Sequence, residues 1–272
     1  MKWDPEQYLR FADERGRPFQ DLLARVGGPD ETAPSYVVDL GCGPGNLTRG
    51  LTDRWPGADV EGVDSSAEMI EQAQAEHATE RVTFCLGDVR DWAPQRPVDV
   101  LTCNATLQWV PGHVDLLARL VGFVAAGGWF AFQVPGNFGE PSHTELQAVR
   151  TSARWSDVLA DLDLPKPAVE EPVTYLRLLS ELGCRVDAWE TTYLQVLSGE
   201  DAVLEWMKGT GLRPVLSALD ETAREEFIAD YAERLRVAYP RQSFGTVLPY
   251  RRIFVIAQRA AVWQPAGAAR TT

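Results

Sequence analysis

Residues 36–46 read Tyr-Val-Val-Asp-Leu-Gly-Cys-Gly-Pro-Gly-Asn, and this stretch decides the fold. Its β-branched beginning predicts a short buried strand over 36–40, which turns into a predicted helix at 46–54. Gly41, Gly43 and Gly45 occupy the turn, and glycine permits a positive φ and a close approach of the backbone to a ligand. Ligands of open α/β sheets bind at such strand-to-helix turns, so we expect a binding site at this point.

The glycine spacing limits the kind of ligand. A dinucleotide-binding fingerprint has its third glycine one position later, where this chain has Asn46. The Gly-Lys-Ser/Thr sequence of a phosphate-binding loop is absent from the chain. The spacing therefore disfavours a dehydrogenase and a P-loop enzyme, although three glycines by themselves are also compatible with a tight turn that binds nothing.

Polar residues follow the next three predicted strands as well. Asp64-Ser65 follows the second strand, Asp88-Val89 the third and Asn104-Ala105 the fourth. A carboxylate after the second strand can accept both hydroxyl protons of a ribose, and one after the third can accept from an exocyclic amine while its apolar neighbour packs on a purine. Each residue alone is typical of a turn or a helix N-cap. Polar groups at four successive strand ends together predict one binding site.

The pattern of strands and helices alternates up to residue 135. This alternation indicates right-handed β-α-β crossovers and a mainly parallel sheet. Near the N-terminus, apolar residues recur at helical spacing over 5–26, and Gly16 and Pro18 predict a break into two short helices. We predict further strands at 58–63, 82–86, 98–103, 128–134, 184–197 and 250–258, and further helices at 66–76, 113–124, 172–182, 200–208 and 221–239.

Composition excludes several classes of function. The chain has 26 basic and 39 acidic side chains, and the net charge of −13 argues against nucleic-acid binding and against an anionic membrane surface. The longest apolar run, Val121–Phe132, is shorter than the roughly 20 residues that span a bilayer. No signal-peptide core begins the sequence, and four dispersed cysteines are typical of a reduced, cytoplasmic protein without a metal site. We expect a monomer or a small homo-oligomer.

The basic residues are unevenly divided between the two types. Only three are lysines, which leaves 26 − 3 = 23 arginines. Arginine suits bidentate pairing with carboxylates, but a biased genome would produce the same count.

The strand-end residues carry a family resemblance. Asp39-x-Gly-x-Gly-x-Gly, Asp64, Asp88 and Asn104, in this order and spacing, resemble the class I S-adenosylmethionine-dependent methyltransferases. The resemblance implies an α/β fold with a Rossmann-like seven-stranded sheet, its last strand antiparallel, and a helical cap from the N-terminus and from insertions. It implies S-adenosylmethionine as cofactor, S-adenosylhomocysteine as product, and these cofactor-binding residues: Asp39, Gly41, Gly43, Gly45, Asn46, Asp64, Ser65, Asp88, Val89, Asn104 and Ala105.

The domain layout follows from the same resemblance. We expect one methyltransferase domain over 1–260, with an N-terminal helical lid at 1–30 and a cofactor-binding core at 36–135. Helical cap or substrate insertions are expected at 136–171 and 198–245. The small, polar residues 261–272 are expected to form a flexible tail.

Further short motifs extend along almost the whole chain: Trp3-Asp-Pro-x-x-Tyr8-Leu-x-Phe11, Glu14-Arg15-x-Arg17-Pro18, Asn104-Ala-x-Leu-Gln-Trp109, Thr191-Thr-Tyr193, Thr210-Gly-Leu-Arg-Pro214 and Arg252-Ile-Phe254. Together they resemble the trans-aconitate 2-methyltransferase family. This resemblance implies an O-methyltransferase that forms the monomethyl ester of a small polycarboxylic acid, with trans-aconitate as the first candidate.

A carboxylate acceptor needs little chemical help. It is already ionised at pH 7, so we expect no general base and no catalytic residue in the strict sense. The protein must supply positioning, and arginines should bind the carboxylates that do not react. The candidate substrate-binding residues are Arg213 first, and then Tyr8, Arg17, Gln108, Trp109, Tyr193 and Arg252, although an arginine on a helix or a strand edge is usually a solvated surface group.

Two other functions remain open at this point. One is methyl transfer to another small-molecule or carrier-bound acceptor, with the nine tryptophans lining its cavity. The other is a non-catalytic regulatory protein that binds S-adenosylmethionine.

Overall fold

Seven strands form a single sheet in a computed structural model that describes residues 12–27, 33–162 and 169–261. The strand order is β3-β2-β1-β4-β5-β7-β6, and the last strand of the chain runs antiparallel, so the predicted α/β sheet is confirmed. The strands are β1 Tyr36–Leu40, β2 Asp59–Asp64, β3 Val82–Leu86, β4 Val98–Asn104, β5 Val124–Pro135, β6 Cys184–Leu197 and β7 Thr246–Arg259.

The pairing of β1 with both of its neighbours positions the predicted site. Val38 lies opposite Glu61 of β2 and opposite Leu101 of β4, and both pairings are parallel. β3 pairs with β2 in the same direction, with Leu86 opposite Asp64. Because parallel strands end at the same edge of a sheet, the residues that follow these four strands are brought together there.

The helices flank these strands and connect them. β1 is buried along its whole length, which explains its continuous apolar sequence. The helices are α1 Ala12–Leu23, α2 Asn46–Arg49, α3 Leu51–Arg54, α4 Ala67–His77, α5 His113–Phe123, α6 Pro141–Arg150, α7 Pro172–Glu181, α8 Ala202–Lys208, α9 Arg213–Ala218 and α10 Glu221–Ala238, with a 3₁₀ turn at Leu107–Trp109.

The predicted break near the N-terminus is wrong for the residues that the structure describes. Helix α1 continues through Gly16 and Pro18 without interruption. A proline inside a helix removes one backbone hydrogen bond. The second half of α1 compensates by burial, since the side chains of Phe19 and Leu22 have no exposed surface.

Two other differences concern helix boundaries. The predicted helix at 46–54 is divided at Gly50 into α2 and α3. The interval between the predicted helices at 200–208 and 221–239 contains the additional helix α9, so Arg213 begins a helix and does not lie in an open turn.

The chain divides into two compact units. Met1–Val134, Ala168–Glu190 and Ile253–Thr272 form the first unit, and Pro135–Pro167 with Thr191–Arg252 form the second. Within the second unit, the Tyr231 hydroxyl donates to the Ser142 carbonyl, and the Tyr239 hydroxyl accepts from the Ser142 N–H at 2.9 Å. These bonds tie α10 to α6. None of the described helices combines the length and the apolar composition needed to cross a bilayer.

Candidate active site

The three positions of the turn after β1 are occupied by glycine for different structural reasons. Gly41 and Gly45 adopt φ values of 77° and 85°. A Cβ added at Gly41 would lie 2.0 Å from Oγ1 of Thr106, and one at Gly45 would lie 2.8 Å from the ring of Phe84. Glycine at these two positions is therefore required by the packing of the protein itself.

Gly43 faces open space instead. Its φ is 55°, and an added Cβ would meet no atom within 4 Å. The N–H of Gly43 donates to Oδ2 of Asp64 at 2.9 Å, which connects the turn to the tip of β2. The turn is thus crowded on both sides and open in the middle, where a ligand would approach the backbone.

Asp64 bridges two strand ends. Besides Gly43, its carboxylate accepts the N–H of Ser66 through Oδ1 at 2.9 Å. Ser66 is the N-cap of α4, since its hydroxyl accepts from the N–H of Met69, and the neighbouring Ser65 is exposed. The carboxylate is only half-buried, and both oxygens are oriented by backbone donors.

Asp39 lies beneath the turn. Its side chain is 2% exposed, and its two oxygens accept from the hydroxyls of Thr48 at 2.6 Å and of Thr102 at 3.0 Å. Burial raises the pKa of Asp39 from 3.8 to about 6, with the two hydroxyl bonds acting in the opposite direction. These contacts indicate that Asp39 joins β1 to β4 and to α2, and supports the turn from below.

Asp88 follows β3 and pairs with its own turn. Its Oδ1 accepts from N and Nε of Arg90, both at 2.9 Å, and its Oδ2 accepts from Nη2 at 2.6 Å. The guanidinium of Arg90 holds the pKa of Asp88 below its usual value of 3.8. The adjacent Val89 is buried, and its carbonyl accepts from Arg119.

The segment after β4 contains a strained residue. Ala105 has a φ of 52°, which is unfavourable for a residue with a Cβ, and its N–H donates to the Gln133 carbonyl at 2.9 Å. The amide of Gln133 donates to Oδ1 of Asn104 at 2.7 Å. Gln108 is buried, and its Nε2 donates to the Ala105 carbonyl at 2.6 Å. Hydrogen bonds with Gln133 and with Gln108 therefore hold the backbone of Ala105 in this conformation.

The other candidates of the first unit are less enclosed. Trp109 is 41% exposed at the end of the 3₁₀ turn. Arg17 has a side chain that is 73% exposed and lies 4.0 Å from Asp21. Asn46 is half-buried at the start of α2, and Tyr8 lies outside the described residues.

In the second unit, Tyr193 and Arg252 are buried, and Arg213 begins α9. Arg252 is 4% exposed, with its guanidinium 4.5 Å from the ring centre of Tyr250. A guanidinium so far from water needs compensation, and the aromatic face supplies part of it.

The turn before Arg213 packs against a histidine that the sequence did not single out. A Cβ added at Gly211 would lie 3.4 Å from Cε1 of His143. Burial lowers the pKa of His143 to about 4, so its imidazole is neutral at pH 7. Among the described residues, no group of three or more His, Cys, Asp or Glu side chains is arranged to hold a metal ion.

Three further residues of the strand tips also escaped the sequence analysis: Thr106, which packs on Gly41, Arg90, which pairs with Asp88, and Gln133, which holds Asn104. Arg90 and Thr106 had a signal in the sequence, because each lies two residues from a predicted site residue, Asp88 or Asn104. Gln133 reaches the site through a tertiary contact, which a single sequence does not reveal.

The amino-acid sequence was compared with those of known proteins. The profile of a methyltransferase domain matches residues 37–128. The chain is 52% identical over 264 residues to the trans-aconitate 2-methyltransferase of Streptomyces avermitilis, covering 95% of this chain and 97% of that one. It is 53% identical over 258 residues to the enzyme of the same name from Mycolicibacterium gilvum, covering 94% and 98%.

A solved structure extends the comparison of the fold. Phosphoethanolamine N-methyltransferase 2 of Haemonchus contortus, in complex with S-adenosylhomocysteine, superposes with a TM-score of 0.53 at 14% identity. The match covers 90% of this chain and 52% of that one, and it shows a shared fold alone.

Proposed function

This chain belongs to the trans-aconitate 2-methyltransferase family, and we propose on that premise that it transfers a methyl group from S-adenosylmethionine to one carboxylate of trans-aconitate. The products are a monomethyl ester and S-adenosylhomocysteine. The observation that carries the proposal is the identity of about half of all residues over nearly the full length of relatives that bear this name. The proposal includes a small anionic acid as the binding partner and a cytoplasmic location.

The strand tips fit an adenosyl group joined to an amino acid. The space above Gly43 admits a ligand against the backbone, as a Cβ there would meet nothing within 4 Å. Next to it, the half-buried carboxylate of Asp64 has acceptor positions left for ribose hydroxyls. Asp88 and the buried Val89 follow the outermost strand of this edge and suit an amino-purine. On the other side of the turn, we assign the amino-acid portion to Asn104 and Ala105.

The chemistry requires positioning more than proton transfer. When bound, S-adenosylmethionine supplies a methyl group on a positively charged sulfur, which an ionised carboxylate can attack directly. The neutral His143 of the second unit is not needed as a base, because the acceptor has no proton to lose at pH 7. Orientation of two reactants and exclusion of water are worth roughly 7–11 kcal/mol of the barrier.

Arginine side chains supply the positive charge for the acceptor in this proposal. Arg213 begins α9 next to a glycine turn, and Arg252 is almost fully buried. The reacting carboxylate loses its charge in the transition state, so a tight ion pair with it would oppose reaction. We therefore assign these arginines to the carboxylates that are not methylated.

Transfer of a labelled methyl group to a panel of di- and tricarboxylic acids tests the proposal. We expect label in trans-aconitate ahead of the other acids, and none in an Asp64→Asn variant that no longer orients the cofactor. Binding of S-adenosylhomocysteine without transfer to any acid would contradict the proposal and would favour the regulatory alternative. Transfer only to apolar or carrier-bound acceptors would favour the other alternative.

A further inference from the structure

The turn after β3 contains an ion pair between Asp88 and Arg90 that holds no other described residue of the candidate site. Within the described chain, every hydrogen bond to the carboxylate of Asp88 comes from Arg90. The guanidinium approaches as a fork, with Nε on one oxygen and Nη2 on the other. A fork of this kind fixes the plane of a carboxylate as well as its distance.

This pairing leaves one acceptor position of Asp88 in a defined direction. A carboxylate has about four acceptor positions, two on each oxygen. Arg90 uses two on Oδ1 and one on Oδ2, so Oδ2 keeps one. Arg90 also holds the pKa of Asp88 below 3.8, so the group accepts hydrogen bonds and never donates them at neutral pH.

The backbone of the turn is held independently of this ion pair. The Asp88 carbonyl accepts from the N–H of Asp91 at 3.0 Å and from that of Trp92 at 2.8 Å. From α5, Arg119 donates to the carbonyls of Val89 and Trp92. Replacing the Arg90 side chain would therefore remove two of the three hydrogen bonds to the carboxylate and keep the one from the backbone N–H, without unfolding the turn.

We propose that Arg90 is a positioning residue that makes Asp88 select an amino-substituted purine and reject an oxo-substituted one. The proposal rests on the proposed function, in which Asp88 accepts a hydrogen bond from the adenine amine. A fixed, ionised carboxylate gains that bond, whereas opposite an oxo group two acceptors would face each other. Without the guanidinium, only the backbone N–H of residue 90 still holds Oδ1, and Oδ2 is no longer fixed. The hydrogen bond from the amine is then weakened, and so is the repulsion of the oxo group.

The experiment compares the binding of S-adenosylhomocysteine and S-inosylhomocysteine by calorimetry. In the Arg90→Met variant, we expect the affinity for the adenosyl compound to fall roughly fivefold to tenfold, since a charge-oriented hydrogen bond is weakened at an exposed site. The affinity for the inosyl compound should stay within about twofold or rise. The matched control is Arg236→Met, because Arg236 forms the same exposed fork with Asp201 and should change neither affinity.

The double variant of Asp88 and Arg90 tests whether Arg90 acts on purine binding through Asp88. Asp88→Asn should lose the same preference, and Arg90→Met should add nothing in the Asp88→Asn background. An equal loss for both compounds, or tighter binding of the adenosyl compound by Arg90→Met, would overturn the inference. Binding without transfer to any acid would overturn the proposed function and leave the result for Arg90 in place.

Discussion

The strand tips of the first unit and the helices of the second unit hold their polar groups differently. At the tips, Asp64 and Asp88 each accept the N–H of the residue two positions later, so part of their orientation is set within the turn itself. In the second unit, Tyr231 bonds to the carbonyl of Ser142, and Trp155 donates to Asp230 at 2.8 Å. Those partners are 89 and 75 residues apart in the chain. Local patterns therefore describe the first region, whereas only long-range packing describes the second.

The largest expected effect tests the dependence of the second unit on long-range packing. Trp206 is among the largest fully buried side chains, and its ring lies 5.5 Å from that of Tyr250. Trp206→Ala should lower the free energy of unfolding by about 3–5 kcal/mol, because the cavity adds to the lost burial. Denaturant unfolding measures this loss. Trp109→Ala, at a half-exposed tryptophan, is the matched control and should lower the free energy of unfolding by much less.

The next effect separates the crowded part of the turn from its open part. Gly41→Ala forces a Cβ against Thr106 at a positive φ, and the free energy of unfolding should fall by about 2–4 kcal/mol. Gly43→Ala meets only the backbone strain, so it should lower stability by about 1 kcal/mol and weaken S-adenosylhomocysteine binding more than tenfold. Thermal unfolding and calorimetry distinguish the two variants.

A second substitution tests whether the contact with Thr106 causes the loss of stability in Gly41→Ala. Thr106→Ala removes the two nearest of the three atoms that the new Cβ would meet, Oγ1 and Cγ2, and leaves the Cβ of residue 106 at 2.7 Å. It should restore part of the stability of Gly41→Ala and none of the ligand affinity of Gly43→Ala. Additive losses in both backgrounds would show that the contact with Thr106 is unimportant.

The buried carboxylate under the turn predicts a pH dependence. The pKa of Asp39 rises from 3.8 to about 6 on folding, so the folded state binds this proton more tightly than the unfolded state. The stability from this group is complete below about pH 4 and is lost as the pH rises through about 6. Asp39→Asn should abolish this loss. Between pH 4 and 7, the free energy of unfolding of the variant should rise relative to that of the wild type by at most about 3 kcal/mol.

The hydrogen bonds around Asp39 allow this substitution. Thr102 can donate to the Val38 carbonyl, 3.2 Å away, and accept from the new amide. Denaturant unfolding at pH 4.5 and 7.5 measures the difference. If the variant and the wild type kept a constant difference across this range, the titration would belong to another group.

The smallest expected effect returns to the second unit. Arg213→Ala should raise the KM for the acid about tenfold, as a charged hydrogen bond is lost, and should leave S-adenosylhomocysteine affinity within about twofold. Arg241→Ala, at an exposed arginine of the same unit, is the control and should change neither value. An equal loss of acid and cofactor-product binding in Arg213→Ala would contradict the assigned role.

The sequence by itself determined the sheet, the glycine turn and the polar residues at four strand ends. Each of these depends on patterns within a few residues, such as a buried strand followed by glycines with positive φ. The failed break at Pro18 shows the limit of such patterns. Burial of Phe19 and Leu22 outweighed the local preference, and that burial depends on distant parts of the chain.

Only the tertiary structure decided which contacts each candidate site residue makes. It buried Asp39 against Thr48 and Thr102, left Gly43 facing open space, and paired Asp88 with Arg90. It also made Arg213 the first residue of a helix and placed Arg17 in solvent. Residue types and spacing set which groups are available, but burial and hydrogen-bond partners come from contacts between distant segments, and they decide whether a group supports the fold or faces a ligand.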